Sequence, residues 1–271
     1  MKVIIGTPIY RPGAYALEVF LSNQREIQER RANCELVFCT EDAGFMPELE
    51  NMLRRFHLKG TVVPHKNEKP ADTKTRIWSI TSAREALRCY FMSRPDADGL
   101  LFLDADMTFD PDVVDIMERE IAGHDAVFSG YVLRDNEVAL AGAGCFLIKR
   151  KAAEKIKFRC LEFKNGQHLT EDNLAELDLY MQRGHIKKGF FVSIDHYASW
   201  GEVRRITPRK ASLWRRVTNS TVVRYCLLRA SIALHYNLAK RGIEIAGQIR
   251  GIFRRMRERT PGYPQSSNPR E

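Results

Sequence analysis

The sequence holds no C-x-x-C pair, although six cysteines are present, at positions 34, 39, 89, 145, 160 and 226. Their irregular spacing excludes a zinc ribbon and a disulfide framework, so a reducing compartment is the expectation. Met1-Lys2-Val3-Ile4-Ile5-Gly6 has neither a basic n-region nor a long apolar h-region, and export is not expected. Apolar stretches able to span a bilayer are also missing. The nearest, residues 222–239, contains Arg224, Arg229 and His235, and a charge near a bilayer centre costs about 2.5–3.5 kcal/mol. No basic stripe with interleaved aromatics runs through the chain, so nucleic acid is not an expected partner. Gly142-Ala143-Gly144 lacks a third glycine and leads into a strand, which excludes a dinucleotide loop.

What is present fits a soluble globular protein. At 271 residues, 44% hydrophobic and 28% charged, the chain divides naturally into one domain of about 200 residues and an appendage. Net charge is +9, unevenly spread. From Thr207 to Glu271 there are 14 basic and 3 acidic residues, against 29 basic and 31 acidic before it. Attraction to phosphate-rich surfaces is thus a property of the tail.

The organising stretch is Gly99-Leu100-Leu101-Phe102-Leu103-Asp104-Ala105-Asp106, an apolar run that ends in two carboxylates. Such a run reads as a strand buried on both faces in a mostly parallel sheet. Ligand crevices in α/β sheets lie beyond the carboxyl ends of strands. An extended backbone would point Asp104 and Asp106 to one side, which suits a hard cation, Mn²⁺ or Mg²⁺, already held by a diphosphate. The competing reading is a turn and helix start, since Asp110-Pro111 follows.

Around it the pattern predicts strands at 2–6, 35–39, 61–64, 125–131, 139–148 and 189–196. Helices are expected at 14–31, 47–56, 73–94, 111–121, 149–157 and 170–183. Alternating strands and helices imply an α/β fold, with a Rossmann-like central sheet flanked by helices.

In order and spacing these motifs resemble nucleotide-sugar-dependent glycosyltransferases of the GT-A fold, more loosely family 2, over residues 1–206. The resemblance implies Asp104 and Asp106 as the Asp-x-Asp metal motif, joined by His196 as a further ligand or a diphosphate contact. It implies Thr7, Pro8 and Tyr10 under the nucleotide base, and Glu41 or Asp42 against the base or ribose. Both acids also read as caps for the helix that follows. Arg84 is implied near the diphosphate, and Gly144 in the wall that faces the acceptor. Glu171-Asp172 opens the helix beside the acceptor, with Asp172 as base of an inverting reaction and Asp178 as its rival in register. As plain helix chemistry, Thr170-Glu171-Asp172 is a good N-cap with first-turn acids. The implied donor is a UDP- or GDP-linked sugar, and the implied acceptor a glycan or lipid-linked hydroxyl.

Two further segments complete the chain. Residues 207–259 read as a basic amphipathic region, with Ile245, Ile249, Ile252, Phe253 and Met256 on one helical face and five Arg around it. That pattern is expected to lie on anionic lipid at the cytoplasmic face of a membrane, the alternative being a homo-oligomer contact. Residues 260–271, rich in Pro, Ser and Asn, are expected to be disordered. The rival functions are a sugar nucleotidyltransferase and a non-catalytic membrane- or nucleic-acid-binding protein. The first would want a Gly-rich, Arg/Lys-containing loop after the first strand, which Gly6–Gly13 does not supply.

Overall fold

The computed structural model describes residues 1–66, 77–133, 138–162, 168–199 and 201–212, with scattered positions between 217 and 230. Met1–Thr221 is one compact unit and Val222–Glu271 a second. Most of the predicted amphipathic region and all of the 260–271 tail lie outside the described residues. No described helix is long and apolar enough to cross a membrane.

The first unit begins with β1 (Val3–Pro8), a 3-10 helix (Arg11–Ala16) and α1 (Leu17–Arg30). It continues through β2 (Glu35–Thr40), α2 (Met46–Arg55), β3 (Gly60–Pro64), α3 (Ile77–Ser93) and β4 (Gly99–Leu103). Then come β5 (Met107–Phe109), α4 (Val113–Glu120), β6 (Ala126–Ser129), β7 (Tyr131–Val132), β8 (Val138–Ala139) and β9 (Cys145–Lys149). The chain closes with α5 (Arg150–Ala153), β10 (Leu161–Glu162), β11 (His168–Leu169), α6 (Glu171–Met181), β12 (Ile186–Gly189), β13 (Ile194–Tyr197) and β14 (Val203–Ile206).

Seven strands form the main sheet in the order β12-β6-β9-β4-β1-β2-β3. Strand β4 is parallel to β1, β1 to β2 and β2 to β3, while β9 runs antiparallel between β4 and β6. All five residues of β4 are buried, as the unbroken apolar run requires of a strand covered on both faces. Alternation divides them. Leu101 and Leu103 join the core beneath α1, α2 and α4, whereas Leu100 and Phe102 join the one beneath α3 and α6. There Phe146 of β9 stacks on Phe128 at 4.0 Å between ring centroids and on Phe102 at 6.0 Å, and Phe158 meets Phe102 edge-on.

The strand predicted at 189–196 is two strands in two sheets. Strand β12 pairs with β6 in the main sheet. After a break at 190–193, β13 pairs with β14 and with β5 in a three-stranded antiparallel sheet. A continuous apolar pattern does not show which partner a strand takes, and three residues of β5 are too few to announce themselves. Strand β5 is fixed by Asn23 of α1, which is buried and satisfies both backbone groups of Phe109, each at 2.9 Å. Leaving such a buried pair unmade would cost about 1–3 kcal/mol.

Candidate active site

A crevice of about 600 Å³, its open mouth included, lies at the carboxyl ends of β1 and β4. Its lining comprises Pro8 at the end of β1, Ile9, Tyr10 and Gly13 after it, His65 after β3, Ser79, Ile80 and Ala83 of α3, and Asp104–Asp106 after β4. Of the predicted nucleotide-side residues, Pro8 and Tyr10 are thus in the wall. The Tyr10 ring packs on Gly13 so closely that a Cβ there would stand 2.5 Å from it, so the loop needs that glycine. Thr7 is fully buried one residue back, and its hydroxyl has no hydrogen-bond partner among the described residues.

Glu41 and Asp42 part company. Glu41 accepts a 2.8 Å hydrogen bond from Ser79 and acts electrostatically on His65, two crevice residues that the sequence did not single out. Burial lowers the His65 pKa against that pull. Asp42 turns outward to Arg11 at 3.1 Å and accepts from the Phe45 N–H at 3.1 Å just before α2. Arg11 holds Asp42 below the usual carboxylate range. Asp42 therefore belongs to the turn that leads into α2, whose N-cap is Phe45, and Glu41 is the acid on the crevice side.

The two carboxylates after β4 do not sit on an extended strand. Residues 104–106 form a turn, closed by the Met107 N–H on the Asp104 carbonyl at 3.2 Å, and the side chains take different partners. One Asp104 oxygen accepts from Arg84 Nη2 at 2.8 Å. A Cβ on Gly144 would stand 3.0 Å from the other, so the predicted glycine is the close approach that leaves Asp104 its room. Asp106 faces Tyr15, whose hydroxyl lies 3.2 Å from Oδ2 and 3.0 Å from the Tyr197 carbonyl, and His196, whose Nε2 lies 3.4 Å from Oδ2.

His196 is buried beside Asp106 because β13 pairs with β5 in the register His196 to Met107, with the Tyr197 N–H on the Asp106 carbonyl at 2.8 Å. Its Nδ1 lies 2.6 Å from the Val132 carbonyl. A carbonyl only accepts, so Nδ1 carries a proton and Nε2 is the ring nitrogen turned toward the Asp106 carboxylate. Among the described residues no group of three or more His, Cys, Asp or Glu is placed to hold a metal; of the three predicted ligands, Asp106 and His196 stand together and Asp104 is paired with Arg84.

Arg84 was expected near a diphosphate. It is 3% exposed, inside α3, and it binds Glu171 through Nη1 as well as Asp104 through Nη2. Glu171, 4% exposed at the start of α6, has its carboxyl pushed up to about 7 by burial, against the pull of Arg84 and with the push of Asp172. Asp172 stands in the same first turn, accepting from the Thr170 hydroxyl and, at 2.7 Å, from the Asn173 N–H. It acts electrostatically on Arg84 and on buried Tyr131, whose phenol lies well above its usual pKa through burial and the charges of Asp104 and Asp172. Asp178 is about two turns further along α6 and is held by Arg159, with Nη2 at 2.7 Å. The structure therefore gathers Asp104, Asp106, Gly144, Glu171, Asp172 and His196 around Arg84 and Tyr131, and leaves Asp178 in its own ion pair. Tyr15 and Tyr131 were missed, since an isolated tyrosine carries no motif.

No protein-family model matches the chain, and no curated protein matches it. Among solved structures it is similar to a mannosyltransferase from Pyrobaculum calidifontis in complex with GDP-Man and Mn²⁺. There identity is 17% over 69% of this chain and 54% of that one, with a TM-score of 0.47. It is similar to S. aureus TarS residues 1–349 in complex with UDP-GlcNAc, at 14% identity over 78% and 60% of the two chains and a TM-score of 0.45. A 4-diphosphocytidyl-2C-methyl-D-erythritol synthase from Anaerococcus prevotii gives 11% identity, 69% and 87% coverage and a TM-score of 0.42. The chain spans little more than half the length of the first two. By its own strand order, with β9 alone reversed and an acidic crevice past the ends of β1 and β4, the chain has an α/β fold, the architecture that the resemblance to the GT-A fold implies.

Proposed function

We propose that this chain is a divalent-cation-dependent transferase that moves a sugar from a nucleotide-diphosphate sugar to an acceptor hydroxyl. The observation that carries the reading is the Asp106–His196 pair at the crevice. A carboxylate and an imidazole nitrogen meet there, with the ring oriented from behind by the Val132 carbonyl. Metal-binding histidines are commonly oriented in this way through their other nitrogen. A carboxylate oxygen and an imidazole nitrogen would suit Mn²⁺ better than Mg²⁺, which favours oxygen donors. A cation so bound would neutralise charge developing on the leaving diphosphate.

The chain's own residues do the rest. Pro8, Tyr10 and His65 form the wall for the nucleoside, with Glu41 as acceptor for its N–H or ribose hydroxyl donors. Asp104, pinned by Arg84, orients the ribose or the water shell of the site. Asp172 accepts the proton of the acceptor hydroxyl as that oxygen attacks the anomeric carbon, which gives inversion. The basic region after residue 206 would hold the enzyme on anionic lipid at the cytoplasmic face, within reach of a lipid-linked acceptor.

Calorimetric thermal shifts with UDP and with GDP, each with and without Mn²⁺, test the proposal. A nucleotide at 100 times its Kd adds about 2.7 kcal/mol of apparent stability. The wild-type chain should show the shift with Mn²⁺ present, and Asp106→Ala should melt cooperatively without it. A full shift in the variant sinks the metal assignment.

A further inference from the structure

Arg84 is the most deeply buried cation near the crevice, and its partners belong to different parts of the fold. It sits in α3 and holds Asp104, the first residue after β4, and Glu171, the first residue of α6. The crevice wall includes its neighbour Ala83 but not Arg84 itself. Its Nε has no hydrogen-bond partner among the described residues, and its guanidinium carbon lies 6.0 Å from the centre of the Phe102 ring. Both terminal nitrogens are therefore committed to carboxylates, below the surface a donor would touch. The fork of a guanidinium can bridge two carboxylates in fixed directions, which one ammonium cannot do. The lack of a side chain at Gly144 leaves room for the other Asp104 oxygen.

We propose that Arg84 is a positioning residue that binds no substrate and locks the donor-side Asp104 and the acceptor-side start of α6 into one unit. This role rests on the glycosyl-transfer reading for its functional consequence, and on geometry alone for its existence. The two carboxylates lie 67 positions apart in sequence, in elements with separate backbone hydrogen bonding. Arg84 is the side chain that touches both, so loosening one end should be felt at the other.

The test uses the full chain as wild type, Arg84→Lys, Asp104→Asn, the double variant and Glu171→Gln. Calorimetric titration with UDP and with GDP, in Mn²⁺, reads donor affinity. Coupled residues in one network are non-additive, commonly by enough to change an equilibrium about tenfold. Arg84→Lys and Asp104→Asn should each weaken binding about tenfold, and the double variant should be no weaker than the poorer single one. A phosphate-contacting Arg84 would instead give losses that multiply, and that result overturns the proposal. Should Arg84→Lys fail to fold, Glu171→Gln decides. It removes the second anchor without reaching the crevice, so reduced affinity supports the coupling and unchanged affinity refutes it.

Hydrogen exchange in the nucleotide-free protein separates this inference from the functional reading. Asp104→Asn should speed exchange at residues 172–175, in the first turn of α6, and wild-type exchange there overturns the coupling. If the wild-type chain binds neither nucleotide, the glycosyltransferase reading falls, and the exchange result still decides whether Arg84 ties the two elements.

Discussion

A carboxylate takes its role from its neighbours. Four acids near α6 and the turn after β4 look equivalent in sequence, and the structure gives them four environments. Asp104 is tied to a buried guanidinium, Asp106 faces an imidazole, Glu171 is enclosed, and Asp172 stands in a helix first turn. Asp178 and Asp172 can therefore be told apart by experiment. Asp172→Asn should keep Mn²⁺-dependent binding of UDP or GDP and lose turnover of the corresponding labelled sugar donors by about 10²–10⁴-fold, the usual contribution of a positioned base. Asp178→Asn releases an ion pair whose Arg159 is 42% exposed. It should alter stability by no more than about 1 kcal/mol and leave turnover at the wild-type level. An exchange of these phenotypes would move the base to Asp178.

Elements matter here through what they bring together. Strand β4 delivers Asp104 and Asp106 to the crevice, but β5 and β13 bring His196 to Asp106, and α3 and α6 bring Arg84 to Glu171. The sheet has to be rigid for these placements to persist, and the ring stack of Phe102, Phe146 and Phe128 spans three adjacent strands, β4, β9 and β6. All three rings are fully buried. Phe146→Ala, which removes the central ring, should cost about 3–5 kcal/mol, measured as a lowered denaturant midpoint at unchanged slope. A loss under about 1 kcal/mol would mean that the two flanking rings close the gap.

At the scale of the molecule, the question is what a nearly neutral domain does with a basic tail. The segment from Thr207 onward carries an excess of 11 positive charges by the counts of 14 basic and 3 acidic residues. The full chain should co-sediment with vesicles containing anionic lipid, and less so as salt rises, since the Debye length is about 8 Å at physiological ionic strength. A chain ending at Thr221, the last residue of the first compact unit, should stay in solution. Equal sedimentation of both would end the membrane proposal, and conversion of a dimer to a monomer on truncation would assign the tail to subunit association.

The sequence by itself determined the sheet, its buried central strand and the position of two acids at that strand's end. These rest on local rules: an unbroken apolar run buries both faces of a strand, and helical spacing of Ala83, Leu87 and Phe91 makes the helix that covers one of them. The tertiary structure alone decided what the acids do. The turn at 104–106, the pairing of β13 with the three-residue β5, and the depth of Arg84 each depend on contacts between residues far apart in the chain. Hydrophobic periodicity reports which face of an element is buried, and not which charged partner waits on the other side. The arginine implied near the diphosphate thus lies inside, between two carboxylates, and a pair of aspartates in one motif has separate partners.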